Sequence, residues 1–569
     1  MASAADLLSA LPDTLLLRVL CFLPAGDAAR TSALSRRWRG LWLQADAVNL
    51  DTRSYFRHDD HDGRIAGRWL FRDAMAAVTA AGRRRTVRTL SVRVVSSNHM
   101  DYCEAVMRTT SPPGGMDAVL AAPAARELEE LRLSLRAEFD WWCGYELPVT
   151  SRRMPCAASL RVLELAGCGL GWSSAGAGGA AVFTRLHTLS LTLCHSPPES
   201  LQALLDAAPS LAALRLEAFT FTAADEEGEL GGRRGGEWYE VMRRRRLLLR
   251  CPKAMSAVTL LHCHDTGGLD LDAPGVRFLR YEGYLEHFPF TSAASSGIPA
   301  NLLERAELSF CTARRCCNPP PSEIARSLGE KMRGSSTAAR RVLGIDWEIR
   351  PSTLKLLNIN DIAVHPEQES TFLEQFPDLK FLQLKGSYEK DKHGAAVAIA
   401  NFLHCCPALQ ELRLKFKVQG DPYAWRNRIK LSKGREAQLD LDNSIELLKR
   451  LRSETSSSSA GNRVGVDDRC CHDVDLSALQ ARRFPCLERS LRKVRLKFEL
   501  EEDFNCFEVK IAKFLVENAV VLEEMQVQDG DQRVHDHIHR KLAMWRADSS
   551  NSKIDIVGEK VKTRRRYSR

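Results

Sequence analysis

A short leucine pattern recurs along the chain and constrains its fold more than any other feature. The pattern L-x-x-L-x-L, or a close variant, begins at Leu128, Leu160, Leu186, Leu211, Leu354, Leu379 and Leu409, with looser copies at Leu491 and Leu522 and weaker ones near Val87, Val276 and Leu303. Because side chains alternate between the two faces of a strand, the last two leucines of each copy lie on one side. Each copy therefore predicts a short strand with one buried face.

The spacing of the copies is typical of leucine-rich repeats. Leu163 and Leu189 lie 26 residues apart, and Leu189 and Leu214 lie 25 apart, close to the ~20–29 residues of one such unit. Proline precedes the pattern by two residues in three copies, at positions 209, 377 and 407, and it disfavours helix in the residue before it. We therefore predict repeated helix–strand units in an irregular α/β horseshoe, or solenoid, rather than a leucine-rich helical protein.

Residues 11–42 have a different pattern, which predicts a small helical module. Leu15, Val19 and Leu23 recur every four residues and form a stripe on one side of a helix. Trp38 opens a third short helix with an aromatic face. A segment of about 40 residues cannot bury this much apolar surface alone. We therefore expect the module to pack against the repeats or against a partner.

Motifs at both ends of the chain resemble those of one plant family. Leu11-Pro12, Leu23-Pro24, residues 27–32 and residues 34–42 resemble the F-box of plant F-box/leucine-rich-repeat proteins. Cys486-Leu487, residues 491–494 and residues 514–525 resemble the FBD segment that ends many of these chains. The resemblance implies a disordered start at 1–8, an F-box at 9–46 and degenerate repeats with loop insertions at 47–483. FBD-like repeats at 484–530 and a C-terminal helix with a basic tail at 531–569 would follow.

The resemblance also implies a function. In this family the F-box binds a Skp-family adaptor, which connects it through a cullin to a RING protein, and the repeats capture a target protein for ubiquitination. The positions that match adaptor-binding positions are Leu11, Pro12, Leu15, Val19, Leu20, Leu23, Pro24, Leu34 and Trp38. The alternative is a helical cap on the end of the solenoid, but a cap would present a polar outer face.

Signatures of catalysis are missing from the sequence. It contains no P-loop, G-x-S-x-G elbow, H-E-x-x-H helix or EF-hand loop, so we predict a non-catalytic subunit without a cofactor. Residues 262–265 and 470–473 are rich in Cys, His and Asp, but adjacent ligands suit a tetrahedral metal site poorly. We predict no metal site there. A thiol nucleophile among the 17 cysteines stays open, because sequence alone assigns it no histidine partner.

Several features indicate an intracellular protein. The odd cysteine count argues against a disulfide framework. No apolar run reaches the ~18–20 residues of a membrane helix, and acidic residues rather than basic ones precede the apolar stretch 15–23. We expect the protein in the cytoplasm, the nucleus or both. The basic residues 562–566 are either a nuclear import signal or a solvated tail.

Two other functions remain as alternatives. The net charge of +9, from 81 Lys and Arg against 72 Asp and Glu, prompts a basic solenoid that binds nucleic acid. Its basic runs at 83–85 and 243–246 are dispersed and lack interleaved aromatic residues, so protein binding is favoured over nucleic acid. The second alternative is a scaffold that uses the F-box outside a ligase.

The residues between the inward leucines change character along the chain. They are mixed in the early repeats but become basic in the later ones, at Lys385, Arg413, Lys415, Lys417, Arg495 and Lys497. If the strands align, these side chains form one positive face. Either the charge serves solubility, or the face binds an acidic or phosphorylated segment of the target.

Overall fold

The structure is a computed structural model that describes most of the predicted repeat strands. It describes residues 11–51, 86–96, 116–137, 146–148, 154–171, 182–222, 247–263, 268–283, 303–310, 355–364, 376–388, 393–418, 476–498, 506–528 and 555–556. These residues fall into two units, an N-terminal unit that ends at 283 and a C-terminal unit that begins at 303.

The N-terminal unit opens with three short helices, as the sequence predicts. They are α1 (Asp13–Leu20), α2 (Ala25–Arg30) and α3 (Trp38–Leu41), with 3-10 turns at Thr31–Ala33 and Trp42–Gln44. Pro12 and Pro24 stand directly before α1 and α2 in extended geometry. Because proline has no N–H and a fixed φ, these two residues start helices without losing a hydrogen bond.

Repeat strands make up the rest of the N-terminal unit. Its main sheet is parallel and contains, in spatial order, β1 (Ala47–Asp51), β2 (Thr89–Ser96), β3 (Glu130–Ala137), β5 (Val162–Ala166), β7 (Thr188–Thr192), β9 (Ala213–Glu217), β12 (Ala257–Leu261) and β14 (Phe278–Gly283). A smaller parallel sheet contains β4 (Glu146–Pro148), β6 (Gly169–Gly171), β8 (His195–Ser196) and β10 (Thr220–Phe221), and β11 (Leu247–Arg250) pairs with β13 (Leu269–Asp272). Two helices accompany these strands, α4 (Met116–Ala121) and α5 (Pro198–Asp206).

The C-terminal unit repeats this architecture. Its parallel strands follow chain order as β15 (Arg305–Phe310), β16 (Leu356–Val364), β17 (Phe381–Tyr388), β18 (Glu411–Val418), β19 (Lys493–Phe498), β20 (Glu524–Gln528) and β21 (Asp555–Ile556). Its helices are α6 (His393–Cys405), α7 (Ser477–Gln480), α8 (Pro485–Arg489) and α9 (Cys506–Asn518). None of the described helices is long and apolar enough to cross a membrane.

Buried side chains form two continuous rows across each sheet. In the N-terminal unit, Leu131, Leu163, Leu189 and Leu214 are direct cross-strand partners, and Leu133, Leu165, Leu191 and Leu216 form the next row. In the C-terminal unit, Leu382, Leu412, Val494 and Met525 form one row, and Leu384, Leu414, Leu496 and Val527 form the other. The inward leucines of the sequence pattern are thus the core, and the mixed helix and strand architecture is confirmed. The horseshoe shape stays a prediction.

Two strands of the main sheet were missed by the leucine pattern. Val48 and Leu50 on β1, and Val258 and Leu260 on β12, continue the same buried rows. The weaker copies near Val87, Val276 and Leu303 do form strands, namely β2, β14 and β15. The disordered segment predicted at residues 1–8 lies outside the described residues. Within 531–569 only β21 is described, so the helix predicted there also lies outside them.

A left-handed residue follows four successive strands of the N-terminal unit. Gly167, Leu193, Ala218 and His262 have φ values of 73°, 51°, 46° and 55°. Each N–H donates to a carbonyl of the next repeat, with N···O distances of 2.9, 2.8, 2.7 and 2.6 Å. The conformation therefore continues the hydrogen-bond ladder past the end of the strand. Three of the four residues carry a Cβ, which is sterically costly at these angles.

Replacing one of these residues with glycine should stabilise the fold. We expect Ala218→Gly to raise the free energy of unfolding by about 0.5–1 kcal/mol, because relief of the left-handed strain exceeds the entropic cost of glycine. Ala213→Gly, five residues earlier within β9, should destabilise because glycine weakens a strand interior. Urea denaturation measures both. Equal losses in the two variants would contradict the strain assigned to position 218.

Candidate functional site

The three N-terminal helices enclose a small core of their own. Leu16, Leu20, Ala28, Trp38, Leu41 and Ala45 are buried together, and Leu11, Leu17, Cys21, Leu23 and Trp42 pack against them partly buried. Arg37 joins the two ends of the module, since its Nε donates to Oδ1 of Asp13 at 2.7 Å and its Nη2 to the carbonyl of Leu11 at 2.6 Å. The module therefore holds its shape by internal packing.

The same module leaves several large apolar side chains in solvent. Leu15, Val19, Phe22 and Leu34 are 45%, 42%, 78% and 64% exposed, and we call these four residues the exposed apolar set. Of the eight exposed large hydrophobic side chains in the described residues, these are half. Leu15 and Val19 lie four residues apart on one side of α1, and Phe22 follows in the turn after the helix. Exposed apolar residues grouped in this way mark a surface that another molecule covers.

The structure divides the predicted adaptor-binding positions into two classes. Leu15, Val19, Leu34 and Pro12 are exposed, whereas Leu11, Leu23 and Pro24 are half-buried. Leu20 and Trp38 are only 1% and 5% exposed and belong to the core of the module, and their contact with an adaptor stays a prediction. Phe22 was missed by the sequence reasoning. Its position seven residues after Leu15 was the signal that could have found it.

One side chain of the first repeat strand holds the end of α1. Asn49 on β1 donates from Nδ2 to the carbonyl oxygens of Cys21 at 2.5 Å and Leu23 at 3.3 Å. The last carbonyls of a helix have no partner within it, so the bond to Cys21 satisfies an acceptor at the end of α1, and the bond to Leu23 satisfies one just before α2. The Cys21 thiol donates to Oδ1 of Asp46 at 3.3 Å, and burial, followed by Asp46, raises the pKa of that thiol. The helix is thereby fixed to the repeat sheet while its other side stays exposed.

Removing the Asn49 donor should loosen the end of α1. We expect Asn49→Asp to lower the free energy of unfolding by about 1–3 kcal/mol, because a carboxylate of the same shape cannot donate and leaves the carbonyls unpaired. Hydrogen exchange should speed up at residues 17–23. Asn49→Ser, which keeps a short donor without adding charge, is the control and should lose less. Unchanged exchange in Asn49→Asp would contradict this anchoring role.

The predicted basic residues lie in register on three strands of the C-terminal unit. Lys385, Lys415 and Lys497 are direct cross-strand partners on β17, β18 and β19, and we call them the lysine row. Gln383, Arg413 and Arg495 form the neighbouring row two residues earlier. Lys417 pairs with Ser387 in the backbone register, and its side chain lies outside the described residues. The alignment on which the positive face depends is therefore present in the strand register.

Acidic side chains already neutralise the arginines of the neighbouring row. Arg413 pairs with Glu411 at 2.6 Å and lies with its guanidinium carbon 4.7 Å from the centroid of the Phe381 ring. Arg495 lies between Glu411 at 3.7 Å and Glu524 at 3.8 Å, and its buried Nε makes no hydrogen bond. By contrast, neither Lys385 nor Lys497 has an ion pair among the described residues. The ion pairs of Arg413 and Arg495 thus lie one row away from the lysine row.

The equivalent side of the N-terminal unit is mixed in charge, as the sequence predicts. Arg132 lies 3.2 Å from Glu130 and 3.4 Å from Glu164, and Arg215 lies 2.6 Å from Glu217. These pairs link neighbouring positions of the same face, so Arg132 and Arg215 are both paired with carboxylates. The two sheets therefore present different electrostatic surfaces from similar backbones.

The cysteines and histidines do not assemble into a reactive centre within the described residues. Burial raises the pKa of Cys156, Cys251 and Cys486 to about 12, and a thiol that stays protonated is a poor nucleophile. His262 lies 3.3 Å from Glu282. No group of three potential metal ligands occurs in the described part of the chain, and residues 264–265 and 470–473 lie outside it.

Comparison with known proteins agrees with this geometry. The F-box domain family model matches residues 8–46, and the model described as FBD-associated F-box protein At5g56370, LRR repeats, matches residues 116–224. The resemblance to plant F-box/leucine-rich-repeat proteins is confirmed. The F-box therefore contains α1, α2 and α3 with the exposed apolar set, and leucine-rich repeats follow it.

Individual relatives are found in Arabidopsis thaliana. The chain is 46% identical to FBD-associated F-box protein At5g22730 over 50 residues, which is 9% of this chain and 11% of that protein. It is 29% identical to F-box/LRR-repeat protein At3g03360 over 215 residues, 37% of this chain and 38% of that protein. The chain thus spans about a tenth of the length of the first of these relatives and under two fifths of the second. The FBD-like segment at 484–530 stays a prediction.

Proposed function

We propose that this F-box protein is the substrate-recognition subunit of a Skp–cullin–F-box ubiquitin ligase and binds the Skp-family adaptor through its exposed apolar set. The observation that carries the proposal is the division of α1 into two sides. Leu16 and Leu20 fill the core, while Leu15 and Val19 remain in solvent beside Phe22. A module with a complete core has no internal use for these side chains.

The energetics of burial support a partner at this surface. Covering a large aliphatic or aromatic side chain is worth roughly 1.5–3 kcal/mol, so four such residues supply a central cluster of the kind that dominates protein interfaces. Asn49 supports the same surface indirectly, because its bonds to Cys21 and Leu23 fix α1 on the first repeat strand. The adaptor would then be held in a defined position relative to the repeats of the N-terminal unit.

Binding of the full chain to a purified plant Skp-family adaptor tests this assignment. We expect Leu15→Ala with Val19→Ala to raise the Kd by about tenfold or more, and Phe22→Ala to raise it by a similar factor. Val182→Ala and Val520→Ala are matched controls, since these residues are also exposed and apolar but lie outside the F-box. Wild-type affinity in a folded Leu15→Ala, Val19→Ala variant would rule out this surface.

Co-purification from plant extract tests the ligase assignment separately. Recovery of adaptor and cullin together supports a ligase subunit. Adaptor without cullin would indicate a scaffold outside the ligase, and salt-sensitive nucleic acid without adaptor would indicate a nucleic-acid-binding solenoid. In every case the variant with Leu15→Ala and Val19→Ala is the control for F-box-dependent recovery.

A further inference from the structure

We propose that the protein surface covering the exposed apolar set is edged with acidic side chains, which meet three arginines of the F-box, Arg18, Arg36 and Arg39. This inference rests on the proposed adaptor binding and adds the chemistry of the partner's surface. All three arginines are exposed. Within the described residues, their side chains form no ion pair and no hydrogen bond.

The other charges of the module are already matched. Between residues 11 and 46 the sequence has five arginines and three aspartates, and it has no lysine or glutamate there. Arg30 pairs with Asp27 at 2.8 Å. Arg37 pairs with Asp13 at 2.6 Å. The third aspartate, Asp46, is half-buried and accepts a hydrogen bond from a thiol. The exposed charge that lacks a partner in this module is therefore all positive.

Arg18 lies among the residues of the exposed apolar set. On α1 it stands three residues after Leu15 and directly before Val19, and residues three apart are neighbours on a helix surface. The N–H of Phe22 donates to the carbonyl of Val19 at 3.0 Å, so the chain keeps turning past the end of α1. A partner that covers Leu15, Val19 and Phe22 therefore also meets the Arg18 guanidinium.

Arg36 and Arg39 lie on the segment that follows Leu34. Arg37 fixes this segment against the start of α1, because its Nη2 donates to the carbonyl of Leu11 at 2.6 Å. The backbone of Arg37 is helical, with φ −62° and ψ −42°, so Arg36 and Arg39 are neighbours at a spacing of three. The exposed apolar set is thus accompanied by cations on both chain segments that form it.

Apolar residues with unpaired arginines beside them match the anatomy of a protein interface. Such interfaces have an apolar centre and a polar rim, and arginine is enriched in them. A carboxylate accepts two hydrogen bonds from one guanidinium, whereas a like charge at the rim is repelled. Opposite charges at a rim mainly accelerate association. The cationic rim therefore selects a partner with an acidic edge and draws it toward the apolar centre.

A lipid surface is a poorer match for these residues. A helix that lies in a membrane interface separates its apolar face from a strongly charged face. The side of α1 opposite the solvent is taken up by Leu16 and Leu20 in the core, and Arg18 shares the exposed side with Leu15 and Val19. Insertion of these two apolar residues would carry the Arg18 charge toward the hydrocarbon. A protein with carboxylates at the edge of its apolar surface avoids that cost.

Binding kinetics of the full chain with a purified plant Skp-family adaptor test the proposal. Rates are measured at about 0.1 M and about 1 M salt, where the Debye length is about 10 Å and about 3 Å. The test variant carries Arg18→Gln, Arg36→Gln and Arg39→Gln. We expect its association rate constant to be about tenfold below the wild type at the lower salt concentration and within about twofold at the higher one. Its dissociation rate constant should change less.

Two matched variants separate charge from other effects. Arg18→Lys with Arg36→Lys and Arg39→Lys keeps the charge, so it should keep the wild-type association rate and salt dependence. A second control removes three charges from exposed positions outside the F-box and should associate like the wild type. It carries Arg126→Gln, Arg185→Gln and Arg277→Gln. Urea denaturation of every variant confirms that the module is folded.

The remaining outcomes contradict the proposal. An unchanged association rate in the folded test variant would exclude the arginine rim, and a faster one would show that the partner's edge is basic. Binding to phosphatidylserine vesicles that requires the same three arginines, with adaptor rates unchanged, would assign them to a membrane. If only this inference fails, Leu15→Ala with Val19→Ala still raises the dissociation rate. If the proposed function fails, the wild type does not bind the adaptor, and the inference falls with it.

Discussion

Burial of two apolar rows along parallel strands is the interaction on which the rest of the structure depends. The rows begin at Val48 and Leu50 and reach Leu279 and Tyr281 in the N-terminal unit. Because side chains alternate along a strand, a slip of one residue would turn a whole strand's leucines into solvent. The register is therefore strongly determined, and the opposite face of each sheet is free to vary. That freedom lets one unit present paired charges and the other a basic row.

The F-box lies outside this ladder but is attached to it. Its core depends on α1, α2 and α3, and the Asn49 side chain connects the end of α1 to β1. The exposed apolar set and the lysine row consequently lie on different elements that have separate sources of stability. A substitution can therefore change one of these surfaces and leave the other intact.

The repeats were predictable from the sequence wherever leucine occupies all the inward positions. The strand β12 escaped because Met255 and Val258 replace leucine, and β1 because Ala45 and Val48 do. The F-box stripe was ambiguous for another reason. Helical spacing alone shows two adjacent apolar stripes, one through Leu15 and the other through Leu20, and only packing against Trp38 shows which of them is core.

The basic face was partly predictable as well. Strand alternation identified the lysines and arginines on one side, but their ion pairs depend on which residues face each other across strands. That register depends on connections such as the long segment between β18 and β19, which the leucine pattern does not encode. The pairing of Arg495 with Glu411 on β18 and with Glu524 on β20 therefore emerged from the structure. The pair of Arg413 and Glu411 lies within β18 and follows from strand alternation alone.

Hydrogen exchange of the full chain, with and without saturating adaptor, tests the central claim that the adaptor binds the exposed apolar set and not the repeat strands. The account predicts slower exchange within residues 13–34 when adaptor is bound, and unchanged exchange in β17, β18 and β19. Protection of those three strands by the adaptor, or saturated binding without any change at α1, would contradict it.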